Sequence, residues 1–471
     1  MDILLLRPPY QERSRVIAYP LGIAYLASFL KEQGHSVTVL DLAIEMDWET
    51  TLKNVLGQKT YGLVGISCMS IQFPGAAITA RAIRQLYPHL PITFGGVHPT
   101  AAPEETIKQP FVDYVIRGEG ESVLGKLTAA LEKGHPLCSI SNIVYKEDGI
   151  IKTNTFTRDN YPALDTLPFP AYQLLDLKRY LPLKQYGLIF KQEPCAQIIT
   201  SRGCPYSCIF CHDLFGKRFR ARSPENVLAE MELLYRTYGV REFLVVDDNF
   251  ALDTSRAKRI CDLIMESKMD IALQFPNGLR ADRMDEELMA KLKRAGTHSL
   301  ALGIESAHLR VQKLIRKGLD LGKVEQAIQL ARKYKIKTYG FFMLGFPSET
   351  KGEINETIRF ARHSQLDMAF FNIATPYAGT EMMALVKEKG YEVFLDLREI
   401  DYQVPHFQTA EFTSQEIKWL QLKAYILFYA RLRRLIPFLT SFIKPIVFKK
   451  YLGGLKRHLF QNIQYIFKRP G

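Results

Sequence analysis

Residues 195 to 211 read CAQIITSRGCPYSCIFC. The first seven of these residues are apolar enough to form a buried strand, and the turn that follows carries Cys204, Cys208 and Cys211. The chain has 471 residues but only seven cysteines, so nearly half of its thiols fall within eight positions. Because barrels of alternating strands and helices keep their reactive groups at the carboxyl ends of strands, we predict that this loop carries the chemistry of the protein.

The alternation of strands and helices that begins here continues to about residue 375. Six strands are predicted, and each except the last is followed by a helix. The predicted strands are CAQIITS, EFLVVDD, IALQF, HSLALGIES, KTYGFFMLGFP and MAFFNIA. Six strands are too few to close an eight-stranded barrel, so we expect an open, partial TIM-type barrel with its reactive groups at the C-terminal rim.

Residues 1 to 150 show the same alternation, which predicts a Rossmann-like parallel sheet with crossover helices. Small residues follow three of these strands, in the loops SCMS, GGVHPT and GEGE. They would let a flat or bulky ligand approach the backbone closely. The fold class predicted is therefore α/β, with the sheet over 1–150, a proline-rich surface linker over 151–194, the partial (βα)6 barrel over 195–385, and a basic, mostly helical extension over 386–471.

Charge is concentrated near the C-terminus. The formal net charge is +13, and the residues after 416 include twelve Lys or Arg and no Asp or Glu. This distribution argues against a nucleic-acid groove through the core. The apolar spacing near residues 417–428 predicts an amphipathic helix, which either packs over the barrel mouth or contacts anionic lipid headgroups. The second interpretation would suit a lipid-like substrate.

No signal peptide is predicted at the start MDILLLRPPY, and no apolar run reaches the length of a spanning helix. We therefore expect a cytoplasmic protein, with the basic tail as a peripheral contact to the inner face of the membrane. Thiols stay reduced in that compartment. Cys68, Cys138, Cys195 and Cys261 lack metal-type spacing, and we interpret them as small buried hydrophobic residues.

Three interpretations of the cysteine loop are open. A structural zinc site needs four ligands, and the nearest candidate for the fourth, His212, directly follows Cys211. Inert buried cysteines would need an apolar run, which this polar loop does not offer. An iron-sulfur cubane held by three thiolates keeps one iron without a protein ligand, and that open position is chemically useful.

The stretch CPYSCIFC resembles the CxxxCxΦC motif of radical S-adenosylmethionine (SAM) enzymes, with Phe210 at the aromatic position Φ. The resemblance implies a [4Fe-4S] cluster on the three cysteines, whose open iron chelates SAM. It also implies an external electron donor, because reductive cleavage of SAM yields a 5'-deoxyadenosyl radical. Later strand ends resemble the family's SAM-contacting motifs, although each alone could be a helix cap. The implied SAM-binding residues are Phe210, Asp248, Arg280, Glu305, Ser306 and Gly345.

The N-terminal stretches YPLGIAYLASFLKEQGH, GGVHPTAAPEE and DYVIRGEGE resemble the cobalamin-binding domain that precedes the barrel in one branch of this family. The implied cobalamin-binding residues are Gly65, Ser67, Gly95, Gly96, His98, Gly118 and Glu119. The motif DxHxxG, by which some cobalamin proteins supply histidine to cobalt, is absent. We therefore expect His98 to form loop hydrogen bonds rather than to bind cobalt. A domain of this type without cobalamin stays an alternative.

The resemblance implies methylation of an unactivated carbon in a small or lipid-like substrate. A radical cyclase or rearrangement enzyme is the alternative within the same branch, and a non-catalytic cobalamin or redox sensor is the alternative outside it. A methylthiotransferase is disfavoured, since the sequence has neither a second cysteine triad near the N-terminus nor a basic RNA-binding module after the barrel. The substrate itself and any further catalytic side chain are not predicted.

Overall fold

Two sheets organise the chain in the computed structural model of the protein. The structure describes residues 1–10, 17–159, 161–181, 187, 189–398, 402–431 and 434. The first sheet has seven strands and the second has six, and a two-stranded ribbon accompanies the second. Each sheet has its own hydrophobic clusters.

The first sheet is built from the N-terminal strands and helices. Its strands are β1 (Asp2–Arg7), β2 (Ser36–Asp41), β3 (Leu63–Ser67), β4 (Ile92–Gly95), β5 (Tyr114–Ile116), β6 (Ile143–Glu147) and β7 (Ile150–Thr153). The helices are α1 (Leu21–Glu32), α2 (Trp48–Gln58), α3 (Phe73–Leu86), α4 (Val97–Ala101), α5 (Pro103–Ile107) and α6 (Glu121–Lys133). The strand order is β2-β1-β3-β4-β5-β6-β7, and β1 to β5 run parallel as predicted.

The antiparallel hairpin β6–β7 is an addition to the predicted sheet. Asp148 and Gly149 connect its strands with φ values of +50° and +78°, as a type I′ turn requires. The Asp-Gly pair was therefore a usable sequence signal. The hairpin also carries the first sheet to Thr153, inside the segment predicted as linker.

The second sheet contains the six predicted strands in sequential order. These six strands are β8 (Cys195–Ile198), β11 (Glu242–Val245), β12 (Ala272–Leu279), β13 (Thr297–Glu305), β14 (Lys337–Leu344) and β15 (Met368–Ile373), and the ribbon strands between β8 and β11 are β9 (Ser201–Arg202) and β10 (Arg220–Ala221). The helices are α7 (Pro224–Tyr238), α8 (Thr254–Glu266), α9 (Glu286–Arg294), α10 (Leu309–Leu314), α11 (Leu321–Lys333), α12 (Lys351–His363), α13 (Glu381–Glu388) and α14 (Ser414–Tyr429). All pairs in β8-β11-β12-β13-β14-β15 are parallel, and β9 and β10 form the separate ribbon.

Helix starts in the second half follow local capping chemistry. The side chains of Ser223, Asp253 and Asp285 accept hydrogen bonds from the third residue of α7, α8 and α9, respectively. Thr350 and Glu353 form a reciprocal capping box at α12. These caps fix where each strand-to-helix loop ends, and thereby the rim on which the candidate residues lie.

The segment 151–194 connects the two sheets, but it does not lie only over the surface as the sequence predicted. Tyr172 and Tyr180 are almost fully buried, and their hydroxyls donate to Glu230 on α7 and to Asp41 on β2. The prolines do keep the segment free of long regular elements. Its aromatic side chains nevertheless supply apolar surface that is stabilised by burial between the two sheets.

Helix α14 packs against β15 and α12. Phe428 contacts Phe371 of β15 edge-on, with ring centroids 6.2 Å apart. A helix is thus present at the predicted place, over Ser414–Tyr429, and covers an outer strand, but its faces are not cleanly divided, since Lys418 is buried and Trp419 is exposed. Most of the basic tail beyond it, 435–471, lies outside the described residues. No helix within the described ranges has the length and hydropathy to cross a membrane.

Three of the four remaining cysteines are buried as predicted, namely Cys68, Cys195 and Cys261. Cys138 is exposed, which corrects the prediction. It lies in the short turn Leu137–Ser139, between α6 and β6, in which no side chain is buried.

Candidate active site

The cysteine loop is closed at its base by the ribbon β9–β10. Arg202 and Arg220 lie opposite each other in this antiparallel pair, so residues 203–219 form a loop with joined ends. Gly203 adopts φ +85°, and a Cβ there would lie 2.4 Å from the carbonyl oxygen of Arg218. The loop's own backbone therefore excludes a side chain at this position.

The three thiols are presented near the surface of this loop. Cys204 and Cys208 are partly buried, whereas Cys211 is exposed. The thiol of Cys208 lies 3.9 Å from the carbonyl oxygen of Arg316. Loss of solvation, followed by the charges of Asp248 and the two other thiols, raises the pKa of Cys211 to about 12. Binding to a metal centre deprotonates such a thiol, because the cation supplies the compensating charge.

The three thiols lie in one short loop, closed by the ribbon β9–β10, and thiolates are the ligands that a cubane cluster takes. Each thiolate of a cubane binds a different iron, so the sulfurs surround the cluster instead of converging on one atom. In the described part of the chain, no three His, Cys, Asp or Glu side chains converge as around a single metal ion.

Two predicted SAM-binding residues are Phe210, within the cysteine loop, and Asp248, beside it. The ring of Phe210 contacts Phe346, at the end of β14, with centroids 5.8 Å apart. Asp248, at the end of β11, is exposed and accepts a hydrogen bond from the backbone N–H of Gly203 at 3.1 Å. The loop is therefore held to the ends of two barrel strands.

Arg280 joins the end of β12 to the same loop. Its guanidinium lies 3.7 Å from the ring centroid of Tyr206, which is in the cysteine loop. It also donates to both carboxylate oxygens of Asp282, at 3.0 and 2.8 Å, and to the carbonyl oxygen of Lys317 at 3.0 Å. Arg280 is thus fixed in position before any ligand binds.

Glu305 is the last residue of β13 and has a φ of +64°, a strained value for a residue with a side chain. Its carboxylate forms an ion pair with Lys317 at 2.8 Å. Strain of this kind is typical of functional sites, where the surrounding structure holds a residue in place. Ser306, by contrast, is fully buried, and its hydroxyl lies 3.2 Å from the hydroxyl of Thr357, so it shapes the strand end from inside.

Gly345 forms the turn after β14 with φ +85°. Its N–H and that of Phe346 donate to one carboxyl oxygen of Glu349, at 2.8 and 3.0 Å. Burial raises the pKa of Glu349 to about 8, so this carboxyl is mostly protonated at neutral pH. The turn that contains Gly345, a predicted SAM-binding residue, is therefore braced by a buried neutral acid.

The loops after β3 and β4 bring Ser67, Gly95 and Gly96 together. Gly96 adopts φ +97°, and a Cβ there would lie 2.9 Å from the carbonyl oxygen of Cys68 and 3.0 Å from the hydroxyl of Ser67. Around Gly95 the nearest atoms to a Cβ belong to Ile116, at 3.9 Å. The surface here is made of backbone and small side chains, as an approaching flat ligand requires.

His98 lies just beyond these glycines and is almost completely buried. Its ring packs on Phe73 at 4.1 Å, and Nδ1 lies 3.3 Å from the hydroxyl of Ser70. Nε2 is buried without a hydrogen-bond partner among the described residues. Burial, followed by the charge of His212, lowers the pKa of His98 to about 4. The imidazole is therefore neutral, with one nitrogen available for a ligand.

The other three predicted cobalamin residues have different surroundings. Gly65 lies inside β3, where a Cβ would come 2.7 Å from the side chain of Leu5. A Cβ at Gly118 would lie 2.0 Å from the hydroxyl of Tyr161, so packing of the linker already explains this glycine. The carboxylate of Glu119 is paired with the two arginines of the ribbon β9–β10. Their predicted contact with cobalamin stays a prediction.

Two residues beside Asp248 were not predicted as site residues. Asp247 accepts hydrogen bonds from the backbone N–H and the hydroxyl of Thr200, at 2.6 and 2.5 Å, and thereby fixes the chain entering the cysteine loop. Both amide atoms of Asn249 are buried without partners among the described residues. A buried unpaired amide is expensive, which makes it a candidate for ligand contact. The sequence DDNF was the available signal.

Each of the two sheets lies in a part of the chain that matches a known protein family. Residues 12–128 match the B12 binding domain, and residues 198–361 match the radical SAM superfamily. A protein of Pyrococcus horikoshii named as an uncharacterized methyltransferase is 33% identical over 98% of this chain and 99% of its own. The chain belongs to the cobalamin-binding radical SAM family.

Two further similarities bear on this membership. The anaerobic magnesium-protoporphyrin IX monomethyl ester cyclase of Synechocystis is 28% identical over 86% of this chain and 80% of its own length. The radical SAM methyltransferase TsrM of Kitasatospora setae has the same fold, with a TM-score of 0.68 and 20% identity over 83% of this chain and 76% of its own.

This radical SAM enzyme therefore uses a [4Fe-4S] cluster, SAM and cobalamin. When bound, these cofactors supply radical generation and methyl carriage, which side chains cannot supply. The three cysteines of the loop, the neutral histidine and the small-residue loops of the first sheet are chemically suited to hold them.

Proposed function

We propose that the enzyme methylates an unactivated carbon of a small molecule. The observation that carries this proposal is the proximity of the two candidate sites. Glu119, after β5 of the first sheet, forms an ion pair with Arg202, which directly precedes the cysteine loop of the barrel. Radical chemistry and methyl carriage require that both cofactors face one substrate, because a reactive radical must be used where it forms.

The barrel rim has the residues to bind SAM and exclude water. We propose that Cys204, Cys208 and Cys211 hold the cluster and that Glu305, kept in place by Lys317, accepts hydrogen bonds from ribose hydroxyls. Phe210 would cover one side of the nucleotide with its ring. In this scheme Arg280, Asp248, Gly345 and Ser306 position the strand ends that surround SAM.

The first sheet would hold cobalamin mostly by shape. Ser67, Gly95 and Gly96 offer a close backbone approach, and the free nitrogen of His98 can form one hydrogen bond with the cofactor. The position of Gly65, Gly118 and Glu119 supports an indirect role, in which they fix the loop backbone from behind.

The products of SAM test the proposal. Reconstituted enzyme, incubated anaerobically with SAM and a chemical reductant, should release 5'-deoxyadenosine and also S-adenosylhomocysteine, since donating a methyl group converts SAM into the latter. A sensor would release neither product, which would refute the enzymatic assignment.

Radical cyclisation is the second candidate, because the Synechocystis cyclase aligns over most of this chain. Cyclisation requires no methyl donation, so 5'-deoxyadenosine would form without cobalamin-dependent S-adenosylhomocysteine. The ratio of the two products therefore separates the candidates before the substrate is known.

We also propose the division into a cobalamin domain (1–150), a linker (151–194), a partial barrel (195–385) and an extension (386–471). The strands of the first sheet pack in different hydrophobic clusters from those of the second, which supports the separation of the two sheets, whereas Tyr172 of the linker and Phe428 of the extension join the cluster of the second sheet. An external electron donor is part of this proposal.

For the basic tail we propose peripheral contact with anionic lipid on the cytoplasmic side, based on its charge. Sedimentation of the full chain with anionic but not with neutral vesicles tests that contact.

A further inference from the structure

A cluster of four charged side chains connects the first sheet to the cysteine loop. Glu119 accepts a hydrogen bond from Nη1 of Arg202 at 2.9 Å, and its other oxygen pairs with Arg220. Nη2 of Arg202 donates to Glu121 at 2.8 Å. We refer to Glu119, Glu121, Arg202 and Arg220 as the interdomain clamp.

Three of the four clamp residues are buried, Arg220 is partly buried, and the charges of the clamp balance. Glu119, Glu121 and Arg202 are each 5% exposed or less. Two carboxylates face two guanidinium groups, so each ion has a partner. Removal of one member of such a cluster is strongly destabilising, because it leaves a buried charge without compensation.

The two arginines of the clamp connect both ends of the cysteine loop to one residue of the first sheet. Arg202 and Arg220 are the paired residues of the ribbon that closes the cysteine loop, one at each end of the loop. Both bind the same carboxylate, that of Glu119. A movement of the loop ends is therefore passed directly to the segment between β5 and α6.

The linker holds that segment from the other side. The backbone N–H of Glu119 donates to the hydroxyl of Tyr161 at 3.2 Å, and the guanidinium of Arg220 lies 5.0 Å from the ring centroid of Tyr161. Gly118 has no room for a side chain because of the same hydroxyl. The loop after β5 is thus packed between linker and ribbon, with little freedom to adjust independently.

We propose that Glu119 is a positioning residue that makes occupation of the cluster site and occupation of the cobalamin site interdependent. A cluster bound by the three cysteines orders the loop whose ends carry Arg202 and Arg220. The clamp passes the position of the loop ends to Glu119 and the segment after β5, so the cobalamin site is preorganised when the cluster is bound. This linkage rests on the proposed function, and by thermodynamic reciprocity cobalamin should strengthen retention of the cluster equally.

The test compares hydroxocobalamin affinity in two preparations of the full chain, one with the [4Fe-4S] cluster reconstituted and one with iron removed by chelation. Equilibrium dialysis gives the two dissociation constants, and circular dichroism checks that both preparations are folded. We expect binding to be about tenfold tighter with the cluster, within the usual range of coupling between two sites.

Variants at Arg220 separate the clamp from direct cobalamin contact, because Arg220 is not among the predicted cobalamin residues. Arg220→Gln should reduce the ratio of the two dissociation constants to about one, and Arg220→Lys, which keeps the charge, should restore part of it. Arg84→Gln is the matched control, since it removes an ion pair with Asp113 elsewhere in the first sheet. Its ratio should equal that of the wild type.

Equal affinities in the two wild-type preparations would overturn the linkage, as would an undiminished ratio in a folded Arg220→Gln protein. If Arg220→Gln does not fold, a full wild-type ratio in both Arg220→Lys and Glu119→Asp, which shift the paired atoms, would also count against it. Failure of wild-type protein to bind cobalamin or to form the cluster would instead refute the proposed function. The two failures are therefore distinguishable.

Discussion

The barrel rim and the loops of the first sheet present opposite kinds of surface. At the rim, Cys211 and Asp248 are exposed, and Glu305 is held in a strained backbone conformation. In the first sheet, polar side chains are turned inward, as with His98 on Phe73 and Glu119 in the clamp. What remains at the surface of its loops is largely backbone and small residues.

The difference reflects the two ligands. An inorganic cluster has no shape to recognise and is held by a few covalent donors, so it needs particular side chains. A large flat corrin offers extensive area for contact, so it needs a complementary surface with few protrusions. Substitutions that delete donors should therefore matter most at the rim, and substitutions that add bulk should matter most in the first sheet.

Removal of one thiol should produce the largest effect. Cys208→Ala should abolish the cluster, because two thiolates cannot anchor a cubane that has three protein ligands. Iron content and the EPR signal of the reduced protein would measure the loss. Cys138→Ala, at an exposed cysteine outside the loop, should keep both. An intact cluster signal in the Cys208→Ala protein would show that the cysteine loop does not hold the cluster.

Neutralising Glu305 should weaken SAM binding by about ten- to a hundredfold, since hydrogen bonds to a charged group contribute about 1.5–3 kcal/mol. Lys317 would also lose its partner. Equilibrium dialysis of SAM with reconstituted Glu305→Gln protein measures the effect. Glu286→Gln, at an exposed ion pair with Lys333, should bind SAM like the wild type. An unchanged SAM affinity of the Glu305→Gln protein would show that the Glu305 carboxylate does not contact SAM.

In the first sheet, the substitution expected to weaken ligand binding is one that adds a side chain, whereas at the rim it is one that removes a donor or an acceptor. The fold has room for a Cβ at Gly95, so Gly95→Val should fold and should fill space predicted for the corrin. We expect about tenfold weaker cobalamin binding, in line with the usual penalty for overpacking. Absorbance titration with hydroxocobalamin measures it, and Gly57→Ala on α2, where a Cβ meets no neighbouring atom, is the control. Normal affinity in the Gly95 variant would show that this loop does not face cobalamin.

The smallest effect is expected at His98. Its folded pKa of about 4 lies below the ordinary histidine value of 6.5, so the unfolded state takes up the proton first on acidification. His98 should therefore reduce stability as the pH falls from about 6.5 to 4, and His98→Gln should remove that dependence. Thermal unfolding at pH 7.5 and 5 measures the change, with His135→Gln as a control in a loop of the same sheet. The spectrum of bound cobalamin should be the same in His98→Gln, whereas a shifted spectrum would indicate histidine ligation to cobalt.

Much of the fold followed from local sequence patterns. The six barrel strands and the first five strands of the N-terminal sheet were predicted from apolar periodicity, and the family assignment was predicted from the cysteine spacing. The predictions that were wrong concerned contacts and exposure, which depend on residues far apart in the sequence. The linker was interpreted from its prolines alone, and its buried Tyr172 and Tyr180 are stabilised by partners on two different sheets. Cys138 is exposed because it lies in a turn without buried side chains, which the hydrophobic character of a cysteine alone does not reveal.

The sequence by itself determined which elements form and where the thiols stand relative to a strand, since capping, periodicity and ligand spacing act between residues a few positions apart. Only the tertiary structure decided what Glu119 does. Its partner Arg202 is 83 positions away, and their pairing exists because two separately formed sheets bring loop ends together. No local pattern encodes that contact, since a glutamate in a glycine-rich loop is equally compatible with a ligand and with a distant arginine.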